Sequence, residues 1–102
     1  VRDQHGLQSG AVTIAGEYDR VFRAPAQPMR LHDGPHSLQI SQSQSLGSTV
    51  VWNPGASLSS RLPDLPADGY RSMLCVEAAQ IDELVPLAPA ERWQGWQELR
   101  VL

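Results

Sequence analysis

Lysine is missing altogether, and the eight basic residues are all arginines scattered from Arg2 to Arg100. A protein that grips nucleic acid concentrates its positive charge in a patch or stripe. With a formal net charge of −3 and no arginine cluster, this chain is not expected to bind nucleic acid. No apolar run approaches the ~18 residues of a membrane-crossing helix, and no basic-then-apolar leader opens the sequence. Cys75 is the single cysteine and has no partner for an internal disulfide. A reducing cytoplasm is the expected compartment. Internal repeats are absent. The three histidines, His5, His32 and His36, lack the spacing with acids or cysteine that a metal site requires. A starting methionine is also missing: Val1 stands first, as processing or excision from a longer protein would leave it.

What is present points to strands. The 102 residues suffice for one small domain spanning 1–102, with a modest share of its surface buried. Residues 11–14 and 19–23 are short β-branched or aromatic runs, the second stopped by Ala24-Pro25. Residues 29–32 and 36–42 flank Asp33-Gly34-Pro35 and read as a hairpin. In its second arm Leu38 and Ile40 alternate with Gln39 and Ser41, the period of a half-buried strand. Residues 48–52 form a further strand, ended by Asn53-Pro54-Gly55. Residues 56–69, with Pro63, Pro66 and Asp68-Gly69, show no strand period. They read as a long ordered loop with a helical turn near Leu58, and such loops are often functional. Residues 73–79 are the most apolar stretch, and a last strand runs over 93–101. Short strands separated by turn signals predict an all-β, antiparallel sandwich or barrel.

One residue breaks the pattern. Within 73–79 Leu74, Val76 and Ala78 share one side and Met73, Cys75 and Glu77 the other. A strand apolar on both sides is normally covered on both. Glu77 is the only charge in that run. A carboxylate taken from water without a partner costs several kcal/mol. Placed at a strand end facing a cleft and part-buried, it suits a general base. The alternative is a structural ion pair with an arginine such as Arg20.

Three segments together resemble the glucose-6-phosphate 1-epimerases, or hexose-6-phosphate mutarotases, of the aldose 1-epimerase type. They are Val50-Val51-Trp52-Asn53-Pro54-Gly55, Asp64-Leu65-Pro66-Ala67-Asp68-Gly69-Tyr70 and Met73-Leu74-Cys75-Val76-Glu77-Ala78-Ala79. Gly16-Glu17-Tyr18-Asp19-Arg20-Val21-Phe22 upstream, and Leu87-Ala88-Pro89 with Trp93 downstream, extend the likeness over nearly the whole chain. The resemblance implies a galactose-mutarotase-like β-sandwich, here its C-terminal part. It implies interconversion of the α and β anomers of a hexose phosphate, with neither metal nor cofactor. Carried over residue by residue, Glu77 is the catalytic base that takes the proton of the anomeric hydroxyl, and Asp19 hydrogen-bonds sugar hydroxyls.

The family's catalytic histidines and phosphate-binding arginine lie upstream of the matching part. His32 and His36 bracket a turn and are expected to be solvent-exposed, and His5 lies near the chain start. The chain by itself is therefore expected to be inactive. Its sheets are expected to present unpaired edges that associate with the missing N-terminal part or with another copy. Trp93 and Trp96 are expected in the core, Trp52 at the rim of the site, and Cys75 as a small buried hydrophobe rather than a nucleophile. The competing class is a non-catalytic carbohydrate-binding β-sandwich.

Overall fold

The computed structural model describes residues 11–102 in full; of residues 1–10 it describes only the backbone of strands Arg2–Asp3 and Gly6–Leu7. His5 lies outside the described residues. The elements in chain order are strands β1 (Arg2–Asp3), β2 (Gly6–Leu7), β3 (Tyr18–Arg23), β4 (Met29–Asp33), β5 (His36–Gln42) and β6 (Ser48–Asn53). Helix α1 (Gly55–Ser59) and a 3-10 turn (Gly69–Ser72) follow, then β7 (Cys75–Ala79) and β8 (Gln97–Val101). The architecture is all-β: two sheets carry it, and the helical turns lie between β6 and β7 in sequence. The chain divides into two compact units, Val1–Phe22 with Val50–Glu77 and Arg23–Thr49 with Ala78–Leu102.

The first unit is built on the five-stranded sheet, in the order β2-β1-β3-β6-β7. β1 pairs antiparallel with β2 and with β3, Asp3 standing opposite Phe22. Among its described residues Phe22 and Val51 are buried in the core, and Pro54, which follows β6 in sequence, is fully buried. The segment after β6 is ordered, as expected, with α1 falling at the anticipated turn near Leu58. Ser59, fully buried, donates its hydroxyl to the Pro66 carbonyl at 3.1 Å and pins the loop.

The second unit holds the three-stranded sheet β4-β5-β8. β4 and β5 form the expected hairpin, with Asp33 opposite His36 and Gly34-Pro35 as its two-residue turn. Gly34 has φ of 58°, the positive value that a turn with glycine at its first central position requires. Pro35 then fixes a negative φ at the second. β5 pairs antiparallel with β8 along its other side, Ile40 opposite Leu99. Ile40 is the buried apolar residue here. Gln42 ties the end of β5 to the approach to β6: its Nε2 donates to the carbonyls of Leu46 and Ser48 at 2.8 and 2.9 Å, and its Oε1 accepts from Thr49 at 2.7 Å.

Two readings need correction. Residues 11–14 are exposed and irregular, not a strand. Branched side chains favour a pleated surface only where a neighbouring strand supplies one. Trp93 and Trp96 are not core residues; they are 40% and 54% exposed. Both precede β8, which closes its sheet on one side and is exposed at every position. Among the described residues no element covers them.

Candidate functional site

The end of β6 fixes the entry to β7, and it does so through one side chain. Asn53 is buried. Its Nδ2 donates to the carbonyls of Tyr70 and Met73, each at 2.9 Å. Its Oδ1 accepts the Gly55 N–H at 2.9 Å, an Asx turn that starts α1. A buried amide with these bonds made is stabilising, whereas each group left unpaired there costs about 1–3 kcal/mol. Gly55 has φ of 71°, and a Cβ there would stand 2.5 Å from the Glu17 nitrogen. The Asn53-Pro54-Gly55 corner is thus packed against the chain just before β3. The 3-10 turn is closed by Gly69 N–H to the Pro66 carbonyl, 2.8 Å, and Arg71 N–H to the Asp68 carbonyl, 3.1 Å.

β7 leaves this clamp and carries the sequence-predicted residues. Leu74, Cys75, Val76, Ala78 and Ala79 are half-buried, as an apolar strand demands. Burial pushes the Cys75 thiol above its ordinary range, and the negative charge of Glu77 on the same side of the strand adds to the rise. The free Cys75 is therefore a protonated, weakly reactive group, in keeping with a small hydrophobe. Glu77 itself is exposed, which corrects the expectation of a part-buried carboxylate. The reason is its place: β7 is the last strand of its sheet. Among the described residues no ion pair or hydrogen bond holds its carboxylate, so the structural pair with Arg20 is not found.

Asp19 stands on β3, with only β6 between that strand and β7. Neighbouring strands lie about 4.8 Å apart, so the two backbones are separated by roughly 10 Å. Asp19 is exposed, while Tyr18 and Arg20 turn to the opposite side of β3. There the Arg20 guanidinium carbon lies 5.4 Å from the centre of the Tyr18 ring. β3, β6 and β7 therefore carry both sequence-predicted carboxylates on one sheet. Tyr70 and Trp52 are half-buried near the Asn53 clamp; the Tyr70 hydroxyl accepts from Arg71 Nε at 3.1 Å.

His32 and His36 are exposed at the hairpin, as expected, with His32 Nδ1 within hydrogen-bonding distance, 3.1 Å, of Ser37 Oγ. Among the described residues no cluster of histidine, cysteine and acids has the makings of a metal site. Among the same residues no helix is long and apolar enough to cross a membrane. What sequence reasoning missed is Asn53. An asparagine at a strand end just before Pro-Gly is an Asx-turn signal, but its two long-range bonds have no local signature.

Comparison with known proteins gives the same direction. The family model described as aldose 1-epimerase matches residues 2–100. A protein of Escherichia coli (strain K12) is 35% identical over 96 residues, which make up 93% of this chain and 33% of that protein. One from Cenchrus ciliaris is 29% identical over 90 residues, 86% of this chain and 27% of that protein. One from Salmonella typhimurium is 36% identical over 72 residues, 70% of this chain and 24% of that protein. All three carry the provisional name glucose-6-phosphate 1-epimerase. The chain thus spans about a quarter to a third of the length of these relatives. No solved structure matches it.

Proposed function

Because the chain belongs to the aldose 1-epimerase family, we propose that it is the part of a hexose-phosphate mutarotase that supplies the catalytic base, Glu77, and a sugar-binding carboxylate, Asp19. The observation that carries this reading is the presence of both on one sheet, a single strand apart, in a chain that the family model covers almost end to end. In the reaction the base takes the proton of the anomeric hydroxyl as the C1–O5 bond opens, and an acid protonates the ring oxygen. Rotation of the aldehyde and closure with the proton transfers reversed give the other anomer. Glu77, exposed and without an ion pair among the described residues, supports the first role. Asp19, an acceptor on the same sheet, supports the orientation of sugar hydroxyls. The phosphate site and the acid belong to the length of the relatives that this chain does not span. A single free thiol on a chain without a disulfide supports a reducing, cytoplasmic setting.

The exposure of Glu77 favours binding without turnover for the chain alone. Among the described residues its carboxylate has neither the covering surface nor the opposing acid that catalysis needs. Exchange between the anomers of glucose 6-phosphate, followed by NMR, is expected to run at the buffer rate with the isolated chain. A chimera in which this chain replaces the matching third of the Escherichia coli relative, assayed beside that relative as a control, is expected to accelerate it. Glu77→Gln in the chimera is expected to cost about 10²–10⁴-fold in rate, the usual worth of a positioned base. Asp19→Ala is expected to weaken sugar-phosphate binding. A folded Glu77→Gln chimera with undiminished turnover would refute the assignment.

A further inference from the structure

The apolar pattern of β7 does little to fix its register. Cys75 and Ala79 are half-buried on the side that carries Glu77, and Val76 and Ala78 are half-buried on the other. Register is strongly specified where burial distinguishes the two sides of a strand; here it hardly does. β6 is the neighbour of β7 in the sheet. A slip of one residue along it would mostly trade one apolar side chain for another. At one position the trade matters: Glu77 would turn to the opposite side, and Val76 or Ala78 would take its place. The carboxylate would be misplaced while the sheet kept most of its contacts.

A polar lock supplies what burial does not. Asn53, the last residue of β6, is buried and commits its whole amide to the corner before β7. Its Nδ2 gives one hydrogen to the Tyr70 carbonyl and the other to the Met73 carbonyl, each at 2.9 Å, and its Oδ1 takes the Gly55 N–H at 2.9 Å. Two acceptors and one donor admit a single orientation of the amide, since its reverse would set oxygen against both carbonyls. Met73 already has the extended backbone of a strand, with φ of −141° and ψ of 150°. A bond at Met73 therefore counts residues to Glu77. A shift of one would present a neighbouring carbonyl to Asn53, and in an extended chain that carbonyl points the other way. We propose that Asn53 is a positioning residue: it locks the register of β7 and so holds Glu77 on the side of the sheet from which it acts on the sugar. This role rests on the reading of Glu77 as the base.

The test is made in the full-length chimera with the Escherichia coli relative, where NMR exchange rates give kcat and KM for glucose 6-phosphate. Asn53→Asp keeps the acceptor for the Gly55 N–H, and with it the corner, but loses both donated bonds. Asn53→Ser does the same without adding a charge. Either is expected to lower kcat at least about tenfold and to leave KM within about twofold, as misplacement of a catalytic group does. Asp19→Ala, by contrast, is expected to act on KM. Ser59→Ala is the control for stability, because it breaks a buried bond of the same loop, Ser59 Oγ to the Pro66 carbonyl. It is expected to lower the melting temperature with kcat unchanged. An Asn53 variant with undiminished kcat, or with a raised KM in place of a lowered kcat, would overturn the role. So would a Ser59→Ala chain that loses kcat equally. Failure of both Asn53 variants to fold beside a folded Ser59→Ala would overturn it too, since Asn53 would then serve the fold and not the base. The two readings fail separately. Undiminished turnover in Glu77→Gln removes the base, and a slow Glu77→Gln beside a normal Asn53→Asp removes only the lock. A chimera without turnover removes both.

Discussion

Cys75 and Glu77 sit two residues apart on one side of β7, and the thiol reports on the carboxylate. Burial is the larger cause that lifts the Cys75 thiol above its ordinary value of 9.0, and the Glu77 charge is the second. Alkylation by iodoacetamide should therefore show its inflection at a higher pH than a free cysteine. Glu77→Gln should move that inflection down, though not all the way, because burial remains. The linkage has a definite sign. A thiol that ionises later in the folded chain leaves stability unchanged below its unfolded value, then erodes it as pH climbs towards and through the folded one. The urea midpoint should be flat through neutrality and fall above about pH 9. An inflection at the free-thiol value would show Cys75 to be open to water. The identity of Glu77 as the odd charge in an apolar strand was legible from the sequence; its exposure was not. Alternation tells which side of a strand a residue takes, but what covers that side is a matter of distant chain.

At the level of elements, local chemistry was the reliable guide. The hairpin of β4 and β5 was legible because Asp33-Gly34-Pro35 fixes a turn within a few residues, and the turn fixes the register. The run at 11–14 misled because branched residues need a partner strand to become one. Trp93 and Trp96 misled for the same reason on a larger scale: size favours burial only where a second surface arrives. Two glycines separate the local from the distant. Gly34 and Gly55 both have positive φ, 58° and 71°. Nothing lies within 4 Å of a Cβ built at Gly34, whereas one at Gly55 meets the backbone of Gly16 and Glu17 at 2.7 and 2.5 Å. Gly34→Ala should thus cost only the conformational penalty, about 1–2 kcal/mol. Gly55→Ala should cost about 2–5 kcal/mol, because backbone that cannot swing aside adds an overpacking penalty. Urea unfolding of the two variants measures the difference, and equal losses would mean that the Asn53-Pro54-Gly55 corner is not packed as described.

For the molecule as a whole, the balance of apolar surface decides how much substitution the fold tolerates. Among the described residues only Phe22, Ile40 and Val51 are buried large hydrophobics, while Leu84, Leu87, Leu99 and Val101 are among those more than half exposed. Stability runs at about 0.05–0.15 kcal/mol per residue in ordinary domains, and so thin a core puts this chain near the lower figure. Truncating a buried phenylalanine to alanine costs about 3–5 kcal/mol. Phe22 is 4% exposed, so Phe22→Ala should remove most of the folding free energy. It should abolish the cooperative urea transition followed by tryptophan fluorescence. Leu84, 95% exposed, offers the control: Leu84→Ser should shift stability by no more than about 0.5 kcal/mol. A Phe22→Ala chain that still unfolds cooperatively at nearly the original midpoint would mean that the folded state is held elsewhere. The same arithmetic bears on the proposed base. A strand resting on so few buried side chains positions a carboxylate loosely, and among the described residues nothing buries Glu77 to steady it.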